Sequence, residues 1–162
     1  MRSKDERKTN KEALRFEAMT ENKEKPYLSI AALCERALQE KDGVISGIRF
    51  VDKLIITAKG AEASEKIPEL PFMMLSAIIA FKSGPARGKR TIQLRLCNPK
   101  GELLSTVQSH EAVFKGDENG VNLIVNIALQ PKEEGLYWVD VLLDDEVITR
   151  IPLRVEYVRE PD

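Results

Sequence analysis

From Tyr27 onward the chain is a series of short apolar runs broken by turn residues, the punctuation of an all-β domain. The clearest run is 121–129. There Val121, Leu123, Val125, Ile127 and Leu129 alternate with Asn122, Ile124, Asn126 and Ala128. A period of two sets the first group on one buried face and turns most of the second to water, whereas a helix would scatter the aliphatics around its circumference. Asn98-Pro99-Lys100-Gly101 is the sharpest local signal. Asn98 and Pro99 suit the first two positions of a type I turn, and Gly101 can take the left-handed conformation of a bulge. The spacing therefore predicts a hairpin of 91–97 with 102–108, in which Ile92, Leu94 and Leu96 share a face.

A second hairpin is predicted near the C-terminal end. Tyr137, Val139, Val141 and Leu143 form one apolar face, and Val147, Thr149, Ile151, Leu153 and Val155 form another. An odd number of connecting residues around Asp144-Asp145-Glu146 makes these faces coincide. That register sets Asp140 opposite Arg150 as a cross-strand ion pair. Residues 72–81 are apolar on both faces, as in a central strand covered on both sides or a sheet edge under a loop. Ile30, Leu33, Cys34, Ala37 and Leu38 fall at helical spacing, with Ser29 and Gly43 as caps, so periodicity alone predicts a helix over 29–43.

Composition narrows the setting. The chain has 162 residues, 43% hydrophobic and 31% charged, and a formal net charge of -1. That is enough chain for one domain with its own core, and it carries no overall field to steer nucleic acid or an acidic membrane. Residues 1–25 are dense in charge, with Leu14, Phe16 and Met19 the large apolar side chains after Met1. Such a segment reads as a flexible tail, and Pro26 marks the expected boundary of a β-sandwich domain over 26–160. Two cysteines without CxxC spacing, no secretory signal pattern and no run long enough to span a bilayer as a helix lead to the expectation of a reduced, cytoplasmic protein.

The order of these features resembles an uncharacterised family of small bacterial β-sandwich proteins, a domain of unknown function. Four stretches carry the resemblance: Leu33-Cys34 followed by Ile45-Ser46-Gly47-Ile48; Pro68-Glu69-Leu70-Pro71; Ile92 to Leu96 leading into Asn98-Pro99-Lys100-Gly101; and Glu134-Gly135-Leu136-Tyr137 with Ile151-Pro152-Leu153-Arg154-Val155. The resemblance implies that 27–38 is an edge strand rather than a helix. It implies no activity and no site residues. Glu133, Gly135, Tyr137 and Val139 also resemble the tyrosine corner of immunoglobulin-like sandwiches, with Val139 where such domains place a cysteine. The expected fold is an all-β, immunoglobulin-like antiparallel sandwich of about seven to nine strands.

Catalytic equipment is sparse. His110 is the one histidine, and Ser105, Ser109 and Glu111 lie near it in sequence. Neighbours along one strand rarely give the geometry of a nucleophile and its base. Cys34 and Cys97 read as buried small hydrophobes. The stretch 84–91 is superficially like a phosphate loop, but its spacing is one residue short and it leads into a strand, where no helix N-terminus can hold a phosphate. It leaves Arg87, Lys89 and Arg90 as a small basic cluster. The acidic stretches with Asp117, Glu118, Asp144 and Asp145 are candidate calcium ligands if both loops emerge at one end, although Asp, Asn and Gly also serve simple turns.

Trp138 is the recognition candidate. It opposes the core face of its strand, and Leu136, Leu142 and Ile124 are candidate apolar neighbours, with Arg150 and Arg154 beside it. Tryptophan with arginine is the composition of interface hot spots, while a covering strand would make the same residues a second core. The sequence thus leads to the expectation of a non-enzymatic interaction module without cofactor, binding a protein partner or itself through a sheet face or edge at Trp138, Leu142, Arg150 and Arg154. The alternative is a sandwich holding calcium or a small anion at its loop end.

Overall fold

The computed structural model describes residues 25–60 and 63–160, without the side chains of 106–108. The charged tail expected over 1–25 lies, apart from Lys25, outside the described residues. Seven strands make up the fold: β1 (Tyr27–Gln39), β2 (Ile45–Phe50), β3 (Lys53–Lys59), β4 (Met73–Cys97), β5 (Leu103–Leu129), β6 (Gly135–Leu143) and β7 (Glu146–Glu160). Among the described residues there is no helix, and so none long and apolar enough to cross a membrane.

One hydrogen-bonded path runs β2-β1-β4-β6-β7-β3, with β5 also paired to β4. The path doubles over because β4 and β5 are long enough to serve two layers. Residues 73–82 of β4 pair with 120–129 of β5 on one side, and 76–82 pair with β1 on the other. Residues 92–97 of β4 pair with β6, while 87–97 stay paired to β5. The first layer is therefore β2, β1 and these first parts of β4 and last parts of β5. The second is the remainder of β5 and β4 with β6, β7 and β3. Inward side chains of both layers, among them Leu33, Ile79 and Val125 from the first and Leu94, Val141 and Leu153 from the second, belong to one core. The expected all-β sandwich is what forms.

Two expected loops are not loops. Residues 84–90 and 116–120 are strand, paired to each other across the bend where the long hairpin passes between layers. Their turn-forming residues do not reverse the chain. They supply the register shifts around Gly84 that let two paired strands bend together.

The Asn98–Gly101 turn is as expected. Gly101 N–H donates to Asn98 O at 2.9 Å, Gly101 has φ of 83°, and Asn98 Oδ1 accepts from the backbone of Lys100 and Glu102. The Tyr137 hydroxyl donates to Glu133 O at 3.0 Å and makes the tyrosine corner. Turn and corner pack together, for a Cβ on Gly135 would stand 2.8 Å from the Pro99 ring.

In the β6–β7 hairpin Asp140 faces Arg150, as the register required. The connection is two residues, Asp144 and Asp145, both at positive φ, the geometry of a type I′ turn. The odd residue sits instead in a bulge between the Val141–Thr149 and Leu142–Val147 pairs. Parity is met, but in the strand and not in the turn.

Residues 29–39 of this stretch are strand, as the resemblance implied and periodicity did not, and 40–43 are the turn into β2. Leu33 faces the core and Cys34 the opposite side, and both are buried. Burial of consecutive residues imitates helical spacing. Nor is β1 a simple edge: it pairs with β4 through Cys34 and with β2 from Cys34 onward.

Candidate functional site

The outer face of the second layer carries the sequence-predicted recognition residues. Across β4 and β6, Gln93 stands beside Leu142, Arg95 beside Asp140 and Cys97 beside Trp138. Across β6 and β7 the ladder continues with Asp140–Arg150, Trp138–Pro152 and Leu136–Arg154. Arg150 closes this face. Its Nε lies 2.7 Å from Asp140 Oδ1, and its guanidinium carbon is 5.1 Å from the Trp138 ring centroid. The Asp140 carboxylate beside it raises the Arg150 pKa and keeps the cation fixed. Arg95 donates to Gln93 Oε1, and Gln93 donates in turn to Ser109.

Trp138 is consequently half-buried, Arg154 exposed, and Leu142 fully buried. Leu142 offers no surface to a partner: the expected apolar patch contracts to Trp138 with Leu136 and Pro152, under its own arginine. Ile124 is not part of it, since its cross-strand neighbour is Ile78 in the first layer.

The other candidates are dispersed. Asp117 pairs with Arg87 at 3.2 Å and Asp144 with Arg90 at 3.0 Å. Asp144 also accepts from the Thr91 backbone. Two expected calcium ligands and two of the basic cluster thus match one another, Asp117 across the bend and Asp144 from the β6–β7 turn. Glu118 and Asp145 are exposed beside them, and among the described residues no three His, Cys, Asp or Glu gather as a metal site. Lys89 pairs with Glu111 at 2.8 Å, a contact that raises its pKa.

His110 is opposite core residue Ile92, whereas Ser109 bonds to Gln93 on the outer face. Adjacent strand residues point oppositely, so serine and histidine are separated by the sheet itself. The His110 Nε2 is buried without a hydrogen-bond partner. Burial raises the pKa of both thiols; at Cys97 the Asp140 carboxylate adds to it.

The first layer differs. Its outer face presents Ile30, Met74, Ile78 and Ala80 beside the more polar face of β5, and the β1–β2 hairpin leans over it. The hairpin tip, Asp42 to Val44, reaches Ala80 on β4 and Asn122 on β5 and encloses a cavity of about 400 Å³. Ile78 and Ala80 of β4, Gly47 and Phe50 of β2 and Ile30 of β1 are among the residues that line it. Ile30 and Phe50 are 48% and 64% exposed, and Met74 on the same sheet face is 58% exposed. Sequence reasoning missed this region, because the apolar residues concerned are separated along the chain and meet only when the hairpin folds over.

Comparison with known proteins adds the family. No curated protein matches the chain. Solved structures similar to it include a β-glucosidase from Listeria innocua, with 11% identity over 82% of this chain and 16% of that one, at a TM-score of 0.47. Another is the CARDB domain of the PF1109 protein from Pyrococcus furiosus, in complex with di-metal ions. It has 10% identity over 83% of this chain and 96% of that one, at a TM-score of 0.39. The chain spans about one sixth of the β-glucosidase. A family model matches residues 29–156, the whole sandwich but for the ends of its first and last strands, and the chain belongs to that family, DUF6941, a family of unknown function.

Proposed function

We propose that the domain is a non-enzymatic protein-interaction module that engages its partner along the free edge of β5 in the first layer. The observation that carries this reading is the nature of the edge at 121–129. Among the described residues β5 pairs with β4 alone, so along one side its outward N–H and C=O groups face no other described strand. No charged residue, proline or glycine occurs in these nine positions. Open edges are normally blunted by such residues, because they accept further strands. An added strand gains main-chain hydrogen bonds, and alternate side chains set its specificity.

The Trp138 face supports the reading by contrast, since its arginine and aspartate already satisfy one another. The opposite directions of the Ser109 and His110 side chains support a non-enzymatic role. Capture from extracts of source cells with three baits tests the proposal: wild type, Asn122→Lys/Ala128→Lys, and Trp138→Ala. A protein bound by wild type, this chain included, is expected to be lost from the edge variant and kept by the tryptophan variant. The reverse pattern, or equal retention by all three, sinks it.

A further inference from the structure

Among the described residues the two layers have four free edges, and these are guarded unequally. β3 begins and ends in lysine, each matched to a glutamate of β7: Lys53 to Glu156 at 2.9 Å and Lys59 to Glu160 at 4.0 Å. β2 has only six residues, and Arg49 at φ of 54° twists its end. The early part of β5, the edge of the second layer, carries His110, Glu111 and Lys115. Short strands, charges and local twist are the ordinary devices against edge-to-edge pairing. Residues 121–129 have none of them.

This edge is also self-complementary. In antiparallel pairing, opposed residues point to the same face, so a two-fold axis through one residue preserves the face of every other. An axis at Val125 sets Val121 against Leu129 and Leu123 against Ile127, with both pairs on the core side. On the outer side it sets Ile124 against Asn126 and Asn122 against Ala128. Inward residues Val125, Ile127 and Leu129 are buried already, and outward residues Asn122, Asn126 and Ala128 are exposed and uncharged. A net charge of -1 per chain puts little repulsion between two copies.

We infer that the partner at the β5 edge is a second copy of this chain, joined antiparallel about a two-fold axis at Val125. The inference rests on the proposed interaction role and names its occupant. The two first layers become one continuous sheet, β2-β1-β4-β5 followed by β5-β4-β1-β2 of the second copy. An interface of one strand pair is at the small end of stable interfaces, so dimerisation is concentration-dependent.

Light scattering across a concentration series, from low to high micromolar, tests this with two variants. Asn122→Lys/Ala128→Lys sets lysine opposite lysine at both ends of the interface, and the dimer dissociation constant is expected to rise at least tenfold. Asn122→Lys/Ala128→Glu is equally polar but sets lysine opposite glutamate, and it is expected to dimerise at least as well as wild type. Both positions are exposed, and circular dichroism of the two variants checks that they fold alike. A wild type with the mass of one 18.3 kDa chain at every concentration overturns the inference, as does equal loss or equal retention of the dimer in both variants. A monomeric wild type that captures another protein in an edge-dependent manner overturns self-pairing alone. A monomer without edge-dependent capture overturns the interaction role as well.

Discussion

The two outer faces of this sandwich solve the problem of exposure in opposite ways. On the second layer, a large aromatic side chain is covered by the protein's own groups: Arg150 lies against Trp138 and is held by Asp140. On the first layer, Ile30, Phe50 and Met74 remain largely open, and the hairpin that leans over them leaves a cavity of about 400 Å³. One face is finished within the chain, and the other is left incomplete. An aromatic residue beside arginines is therefore a poor guide to a binding surface when neighbouring strands supply its counter-charge.

The contrast can be broken by measurement. Trp138→Ala removes a half-buried ring and leaves Arg150 without its support. It is expected to lower stability by about 2 kcal/mol in chemical denaturation, below the full cost of a core aromatic. A loss below about 0.5 kcal/mol, the range of ordinary surface changes, would show that the second-layer face is not self-supporting. Asp140→Asn is expected to cost about 1 kcal/mol, reduced by the half-exposed arginine and by salt; a double-mutant cycle with Arg150→Ala should recover most of it as coupling. Phe50→Ser, on the open face, should change stability by less than about 0.5 kcal/mol.

The cysteines probe the same difference kinetically. Cys34 lies on the outer side of the first layer beneath the β1–β2 hairpin, and Cys97 lies beside Trp138 on the second. Burial raises both thiol pKa values, so both resist alkylation in the folded chain at pH 8. Cys34 is expected to react first, because its hairpin cover rests over a cavity, and mass spectrometry of partly alkylated protein reads the order. Equal rates would mean that labelling requires global unfolding. The same shifts set a direction with pH. The unfolded thiols lose their protons first, so this part of the stability is intact below about pH 8.5 and declines as pH rises through the folded values.

Sequence made local geometry readable wherever one side chain decides it. Asn98, Pro99 and Gly101 define their turn, Tyr137 its corner, and alternation the inward face of 121–129. It was misleading where one signal serves two structures. Glycines and Asp117 near the bend have the chemistry of a reversal, yet they accommodate two strands bending together. Leu33 and Cys34, buried on opposite sides of one strand, imitate the spacing of a helix. The candidate site was only partly legible. The Asp140–Arg150 register could be counted from residue numbers, but the burial of Leu142 and the cavity beneath the hairpin depend on contacts between distant segments. The edge of β5 was in view as a strand from the start. Its missing guard became visible only once each free edge was known.

The long β4–β5 hairpin has a consequence for how the molecule is put together. Its arms meet at the Asn98–Gly101 turn, and pairing continues outward from that tip through the bend to Met73 and Leu129. Such a structure can grow as a zipper, in which each new pair is close to the last and no long chain segment need be closed first. By the time the zipper passes the bend, one strand pair has been placed in each layer. One hairpin thereby contributes a strand pair to each half of the sandwich and joins the two through continuous backbone pairing.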